Sequence, residues 1–255
     1  MKFIRFTSGD TISRSGILKN DTEVVEISGD MFNKYQETDN VYQLNEIKVL
    51  PPSVPSKIIC VGLNYSDHAE EMNKPLPPSP MLFMKPNTAV IAHNEEIIYP
   101  SHMSKRVDYE GEIAVVIGQE TYMVEEEHAG EYIFGYTCIN DITARDLQKI
   151  DIQFTRGKGF NTFAPFGPFI ETEISPDNLS IMTLLNNEVK QNSTTSNLIF
   201  KINTLVSFIS KIMTLLPGDV IATGTPAGVG PVEPGDTLEV RIEGIGSLIN
   251  TVASN

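Results

Sequence analysis

Three acidic residues carry the chemistry that this sequence indicates most directly. Glu110 and Glu112 lie in the segment VDYEGEIAVVIG, whose apolar run predicts a strand ending at Gly118. Because side chains two apart in a strand point to one face, the two carboxylates are expected to lie side by side, with Gly111 turned away. Asp141 ends a second apolar run and is a candidate third carboxylate. Three oxygen ligands favour a hard divalent ion, Mg2+ or Mn2+, over Zn2+.

The same pair of glutamates has a simpler interpretation, which the spacing leaves open. Glutamates at alternate strand positions are common on a solvated sheet face, where they need no cation. If they are even partly buried, two like charges side by side require a positive partner. Gly111 favours the metal site, because a glycine inside a strand often marks the close approach of a ligand or of another backbone.

A histidine and a glutamate three residues apart form a second candidate group. His68 and Glu71 follow the apolar strand predicted for Ile58–Leu63, and on a helical turn their side chains would face each other. A histidine oriented by a carboxylate is a suitable general base for activating water. Glu70 competes for the acid role, and a surface His–Glu pair on a loop would give the same pattern.

Lys158 is a candidate for stabilising negative charge on a substrate. It lies between Gly157 and Gly159, and flanking glycines let the backbone bring the ammonium group close to a ligand. We expect it to stabilise an enolate or oxyanion beside the metal. The alternative is a solvated loop lysine, which is the commoner environment of this residue type.

An arginine and a glutamine follow the third carboxylate. Arg145 and Gln148 lie roughly on one face of the helix that we predict just after Asp141. Arg145 could bind a substrate carboxylate through its fork of N–H donors. It could equally form a structural ion pair with Asp146 or Asp141.

The elements that must position these side chains are mostly short strands. Residues 1–54 predict a small β-rich domain, with a hairpin turning at Asn20-Asp21 and a helical turn over Gly29–Gln36. The prolines of Pro51–Pro55 mark the predicted boundary to a catalytic domain of residues 55–255.

Within the larger domain, apolar spacing over Asn197–Leu216 predicts one core helix. Many short strands with few helices indicate an α+β, β-dominated mixed roll.

Composition excludes two classes of partner. The 255 residues include 33 Asp and Glu against 19 Lys and Arg, a formal net charge of −14. Such a chain without a basic cluster is a poor binder of nucleic acid or of a membrane surface, since both are negative. No stretch approaches the roughly twenty apolar residues of a membrane span, and the first apolar run is too short for a signal peptide. We expect a cytoplasmic protein in which Cys60 and Cys138 are buried free thiols.

Six segments, in order along the chain, carry a resemblance to a known family. They are KIICVGLNYSDHAEEM (Lys57–Met72), PMLFMKP (Pro80–Pro86), VDYEGEIAVVIG (Val107–Gly118), GYTCINDITARDLQ (Gly135–Gln148), RGKGFNTFAPFGPFI (Arg156–Ile170) and PGDVIATGTPAGVG (Pro217–Gly230). In these segments the chain resembles the fumarylacetoacetate hydrolase family.

The resemblance implies a fold, an assembly and several residue roles. The fold would be the family's mixed β-sandwich roll behind a small N-terminal β-rich domain, and the assembly a homodimer. The family's His–Glu dyad falls on His68 and Glu71, its lysine on Lys158, and a substrate-contacting position on Gln148. In the loop Ala222–Gly230, the hydroxyl and backbone of Thr225 would contact the substrate carboxylate. Tyr65 and Lys85 are two weaker candidates for lining the site.

Together these features predict a divalent-metal enzyme that acts on a small anionic α-keto or β-diketo acid through an enolate. If His68 and Glu71 activate water, a carbon–carbon bond is hydrolysed, as in acylpyruvate cleavage. Without attack by water, the same enolate supports decarboxylation of oxaloacetate. The match to the family's His–Glu dyad favours these two outcomes, acylpyruvate hydrolysis and oxaloacetate decarboxylation. The alternative is tautomerisation, or isomerisation or decarboxylation of a hydroxymuconate-type dienoate. The competing class is a non-catalytic metal- or ligand-binding protein on the same fold, which would not require His68, Glu71 and Lys158 together.

Overall fold

The computed structural model describes residues 1–255, with twenty strands, four α-helices and four 3-10 segments. The strands are β1 Lys2–Thr7, β2 Arg14–Lys19, β3 Glu23–Gly29, β4 Tyr35–Gln43, β5 Lys48–Leu50, β6 Ile58–Gly62, β7 Met81–Lys85, β8 Val90–Ile91, β9 Glu96–Tyr99, β10 Val107–Tyr109, β11 Gly111–Ile117, β12 Ile133–Asn140, β13 Thr143–Ala144, β14 Ala164–Glu171, β15 Ser180–Leu185, β16 Glu188–Thr194, β17 Val220–Ala222, β18 Gly230–Val232, β19 Thr237–Ile242 and β20 Gly246–Ser254.

The helices are short and lie between these strands. The α-helices are α1 Ser66–Glu71, α2 Arg145–Ile150, α3 Thr155–Lys158 and α4 Ile202–Ser210, and the 3-10 segments are Leu44–Glu46, Asn87–Ala89, Glu126–Tyr132 and Thr195–Asn197. None of the helices has the length and apolar character that crossing a bilayer requires. The prediction of a β-dominated α+β fold is confirmed.

The largest sheet has twelve strands and joins the N-terminal segment to the rest of the chain. Ten strands follow the order β4-β3-β2-β1-β14-β12-β11-β17-β6-β7, while β5 pairs with β1 and β8 with β14. The junction is the antiparallel pairing of β1 with β14, where Lys2 lies opposite Glu171. Strands from residues 1–54 and from residues 55–255 therefore belong to one hydrogen-bonded sheet. The division into two domains at this boundary stays a prediction.

A five-stranded sheet, ordered β16-β15-β19-β20-β9, covers one face of the central strand β11. Ile113 and Val115 of β11 belong to a buried cluster with Val240 of β19, Leu248 of β20 and Leu205 of α4. This cluster is the main apolar core. A third sheet, ordered β13-β10-β18, brings β10 beside the start of α2.

Side chains of β11 alternate between two faces of the sheet, so the carboxylate of Glu112 lies on the face opposite the main core. Ile113 and Val115 face the five-stranded sheet, whereas Ala114 belongs to a different buried cluster with Cys60 and Phe166. Glu112 shares the alternate set of Ala114 and so points away from the main core. Both cysteines are buried and free, as predicted.

Two local predictions were wrong, and tertiary pairing explains both. Only the middle of Gly29–Gln36 forms a turn, because β3 ends at Gly29 and β4 begins opposite it at Tyr35. The helix predicted for Asn197–Leu216 is confined to α4, since Leu215 exchanges backbone hydrogen bonds with Thr121 of another loop. By contrast, the predicted hairpin turn is confirmed, with positive φ at Asn20 and Asp21.

Gly111 is the point at which β11 comes closest to the five-stranded sheet. A Cβ on Gly111 would lie 2.0 Å from Thr183 Oγ1 and 3.2 Å from Val240 Cγ2. Overpacking of this kind lowers the free energy of unfolding by about 1–3 kcal/mol. We expect Gly111→Ala to lower the thermal midpoint by roughly 5 °C. In Gly130→Ala, a matched control, the new Cβ would meet no atom closer than 3.8 Å; equal midpoints for the two variants would contradict this account.

Candidate active site

The three predicted metal ligands converge at the ends of two paired strands. Glu110 precedes β11, Glu112 lies within it, and Asp141 directly follows β12. The strands are antiparallel with Gly111 opposite Asn140, and Asp141 N–H donates to the carbonyl of Glu110 at 2.8 Å. One carboxylate oxygen from each acid lies within 4.8 Å of the other two. All three acids are buried, which excludes the solvated-face interpretation.

Two buried lysines neutralise part of this charge. Lys158 Nζ donates to Glu110 Oε2 at 2.8 Å and to Asp141 Oδ2 at 2.6 Å. Lys85 Nζ donates to Asp141 Oδ1 at 2.5 Å and to the carbonyl of Ile142 at 2.9 Å. Although burial opposes it, the charges of Asp141 and Glu110 raise the pKa of Lys158 above its usual value, so this lysine stays an ammonium ion.

Glu112 is the one acid of the three without a cationic partner. Its Oε2 accepts a hydrogen bond from the N–H of Gly224 at 2.7 Å, and it forms no ion pair. Burial, and then the charges of Asp141 and Glu110, raise the pKa of Glu112 well above its usual value. Glu110 differs: although burial opposes it, Lys158 and Arg145 lower its pKa to about 2. An added divalent cation would supply the positive charge that Glu112 lacks, so this set of oxygen donors fits Mg2+ or Mn2+.

Arg145 binds acids in the structure, but not the ones predicted as its alternatives. Its Nε donates to Asp108 Oδ2 at 2.8 Å, and it forms an ion pair with Glu110. Its Nη1 donates to Gln148 Oε1 at 2.5 Å, so the predicted proximity of Arg145 and Gln148 is present. Asp146 instead accepts a bond from Ser104 Oγ at 2.6 Å.

Helix α1 holds the predicted dyad at the edge of the site. His68 Nδ1 lies 2.9 Å from Glu71 Oε2, so the structure pairs this histidine with Glu71 and not with Glu70. Glu71 Oε1 also accepts the N–H of Gly228 at 3.1 Å. Because Nδ1 faces Glu71, the other ring nitrogen of His68 remains for a substrate or water.

Thr225 is held in place by a glutamine that sequence analysis missed. Its Oγ1 donates to the carbonyl of Gly111 at 2.9 Å and accepts from Gln191 Nε2 at 2.8 Å. Gln191 Oε1 also accepts the N–H of Gly111 at 3.0 Å. A hydroxyl has one proton, and here the carbonyl of Gly111 receives it, so the hydroxyl of Thr225 has no proton left to donate to a substrate.

Four further residues differ in whether the sequence could identify them as part of the site. Asp108, which anchors Arg145, was missed although it shares the alternate spacing of Glu110 and Glu112. Gln191 lies inside β16 and has no motif that could have identified it. Of the two weaker candidates, Lys85 lies in the acid cluster, whereas Tyr65 is fully buried in the main core.

A single cavity of about 110 Å³ connects these groups. Eight of the nine predicted site residues line the cavity: His68, Glu110, Glu112, Asp141, Arg145, Gln148, Lys158 and Thr225. The ninth, Glu71, does not line it but contacts His68. A larger cavity of about 830 Å³ lies between the N-terminal strands and β20, but it contains none of these groups. We place the chemistry in the smaller cavity because the charged groups converge there.

Comparison with protein families identifies the family of this chain. The model of the fumarylacetoacetate (FAA) hydrolase C-terminal domain matches residues 57–253, and that of the Rv2993c-like N-terminal domain matches residues 1–52. This chain belongs to the fumarylacetoacetate hydrolase family. The resemblance read from the six segments is thereby confirmed.

Three proteins similar to this chain bear on its function. The oxaloacetate tautomerase YisK of Bacillus subtilis is 42% identical over 226 residues, covering 83% of this chain and 75% of that protein. The crystal structure of a 5-carboxymethyl-2-hydroxymuconate delta-isomerase from Mycobacterium smegmatis has a TM-score of 0.94 at 41% identity, covering 100% of both chains. A maleylpyruvate hydrolase from Sphingobium, solved with manganese(II) and pyruvate, has a TM-score of 0.84 at 27% identity and covers 100% of both chains.

Because the carboxylate of Glu112 has no cationic partner, replacing it by a neutral side chain should raise the thermal stability of the metal-free protein. Because the pKa of Glu112 is raised in the folded state, ionising this side chain lowers the free energy of unfolding. Its contribution to stability is fully present below the unfolded pKa of 4.5 and is lost as the pH rises through the folded pKa. Glu112→Gln keeps the acceptor for Gly224 and removes the charge. With chelator at about pH 8, we expect a thermal midpoint about 3 °C above wild type, and no difference at about pH 4.

Glu110→Gln is the matched control for this measurement. It removes a carboxylate that Lys158 and Arg145 neutralise, so the midpoint at about pH 8 should fall instead of rising. Added Mn2+ should raise the midpoint of wild type and of neither variant. A Glu112→Gln midpoint below wild type in chelator would contradict the assignment.

Proposed function

We propose that this protein is a divalent-metal-dependent tautomerase of a small 2-oxo acid of the oxaloacetate type. The observation that carries the proposal is the small cavity in which the acid cluster, Lys158 and His68 converge. Pockets for drug-sized ligands span about 300–1,000 Å³, so a cavity of about 110 Å³ favours a substrate of a few carbons. The similarity to an oxaloacetate tautomerase points to the same substrate class.

Metal binding would give the site its electrophile. A divalent ion held by Glu110, Glu112 and Asp141 would act as a Lewis acid toward the 2-oxo group and make the neighbouring C–H more acidic. Lys158 adds a fixed positive charge beside these carboxylates, in a buried environment where it stabilises a developing enolate oxygen. The ring of Phe83, 4.9 Å from Lys158 Nζ, keeps water from one side of the ammonium group.

His68 is the group that can move a proton. Its unpaired ring nitrogen takes the proton from the carbon next to the 2-oxo group, while Glu71 stabilises the imidazolium that forms. The same proton returns to the 2-oxo oxygen, and the keto acid becomes its enol without consuming water. Loss of a proton from the enol oxygen and its return to carbon run the reaction backwards.

Arg145 would bind a substrate carboxylate. It has five N–H donors, and three of them bond Asp108, Glu110 and Gln148, which leaves two for a ligand. Thr225 also lines the cavity, and its backbone N–H would be a further donor. These contacts orient the acid so that its C–H faces His68.

Hydrolysis of a carbon–carbon bond is the second candidate. The His68–Glu71 dyad could activate water as well as move a proton, and the similarity to a maleylpyruvate hydrolase favours this outcome. The small cavity argues against it, since a diketo acid and a water molecule must fit together. A homodimer and a cytoplasmic location are further parts of the proposal, from the family resemblance and the composition.

An ultraviolet assay separates these reactions. Purified protein with Mn2+ or Mg2+ should accelerate the loss of the oxaloacetate enol absorbance, and chelator should abolish the acceleration. A coupled lactate dehydrogenase assay reports any pyruvate released from oxaloacetate or from an acylpyruvate. If pyruvate is released faster than the enol is lost, the reaction is decarboxylation or hydrolysis and not tautomerisation. If chelator changes none of these rates, the protein is better described as a binding protein.

Lys158 should contribute to turnover more than to metal affinity. Removing one preorganised group that stabilises an oxyanion costs about 10²–10³-fold in kcat. We expect Lys158→Ala to lose about that much while binding of Mn2+ changes far less. Lys149→Ala, which removes an exposed lysine of α2, is the control. An unchanged kcat in Lys158→Ala would remove this residue from the mechanism.

A further inference from the structure

The end of the cavity that opens to solvent is lined by other residue types than the buried end that holds the acids. The acids and Lys158 are buried, whereas the lining residues contributed by α1, β7 and their connection include exposed Met72, Lys74 and Met81. None of these three contacts the acid cluster by hydrogen bond or ion pair. They therefore meet the part of a substrate that lies farthest from the reacting carbon.

Lys74 is the one cation lining the cavity that has no acidic partner. Arg145 and Lys158 are each bonded to two carboxylates, while the ammonium group of Lys74 forms no ion pair. Its backbone is fixed, because Asn73 adopts φ 51° and Lys74 N–H donates to the carbonyl of Ala69 at 3.0 Å. In a chain of net charge −14, a free ammonium group at the entrance favours an anion there.

Met81 forms the wall next to that entrance. Alternate residues of β7 face the site: Lys85 bonds Asp141, Phe83 lies under Lys158, and Met81 comes next toward solvent. Met81 pairs with Gly62 of β6, and a Cβ on Gly62 would lie 2.4 Å from Met81 Cε. The Met81 side chain thus occupies the space that a side chain on Gly62 would need, and its thioether narrows the cavity.

We propose that Lys74 and Met81 determine which acids this site accepts. Lys74 binds the distal carboxylate of a dicarboxylic 2-oxo acid, and Met81 limits the chain between the two carboxylates to a short one. Monocarboxylic acids lack the group that Lys74 recognises, and longer dicarboxylic acids collide with Met81. The inference rests on the proposed function for the orientation of the substrate, with its 2-oxo end at the acid cluster.

Unreactive 2-hydroxy acids test the charge preference without turnover. Malate and 2-hydroxybutyrate have the same number of carbons, and only malate carries a distal carboxylate. By titration calorimetry on the Mn2+-loaded protein, Lys74→Gln should weaken malate binding about fivefold and leave 2-hydroxybutyrate unchanged. Lys149→Gln makes the same change in net charge outside the cavity and should affect neither acid. Equal losses for both acids, or the same loss in Lys149→Gln, would overturn the role of Lys74.

A homologous series tests the length limit. Affinity of the wild type should fall from malate to 2-hydroxyglutarate and 2-hydroxyadipate. Met81→Ala should improve binding of 2-hydroxyadipate relative to malate about tenfold, because the wall is removed. Met84→Ala truncates an exposed methionine of β7 outside the cavity and should keep the wild-type order. An unchanged series in Met81→Ala, or the same change in Met84→Ala, would overturn the role of Met81.

Binding and turnover distinguish the two proposals. If the 2-hydroxy acids bind as expected and oxaloacetate does not tautomerise, the proposed function fails while the selectivity at the entrance stands. If Mn2+ binds, none of the acids binds and oxaloacetate is not tautomerised, both proposals fail. If tautomerisation is measured and the affinity series is flat in wild type and variants, only the inference about Lys74 and Met81 is overturned.

Discussion

The structure depends on three carboxylates being held together away from water, one of them without a counter-charge. Glu110 and Asp141 are neutralised by lysines, but Glu112 receives only a backbone N–H. Burying like charges is unfavourable unless positive charge compensates them. The fold therefore leaves negative charge uncompensated at its centre, and a hard divalent cation would compensate it through the oxygen ligands that such ions prefer.

The sheets make this arrangement possible because they fix the strand ends that carry the acids. The ladder between β11 and β12 brings Asp141 beside Glu110, and the five-stranded sheet packs against Gly111 from the other side. Gln191 bonds both Gly111, which lies between the two glutamates, and Thr225 in its loop. The supporting residues thus restrict the movement of the acids, which is the condition for a preorganised site.

The charge distribution also explains how an acidic protein could accept an acidic ligand. The net charge of −14 would repel an anion at long range. Within the cavity, however, Arg145 and Lys158 lie next to the carboxylates and Lys74 stands free at the entrance. Local cations, and a metal ion when bound, act over a few ångströms where solvent screening is weak, so they can outweigh the more distant acids.

The sequence by itself determined the features that depend on neighbouring residues. Alternation placed Glu110 and Glu112 on one face, spacing paired His68 with Glu71, and apolar runs located most strands, because the chain's own geometry sets these relations over a few residues. Only the tertiary structure decided that Lys85 and Gln191 belong to the site, that Arg145 bonds Asp108, and that α4 ends at Ser210. These contacts join strands and loops far apart in the chain, and which strands become neighbours depends on the packing of the whole fold and not on any local pattern.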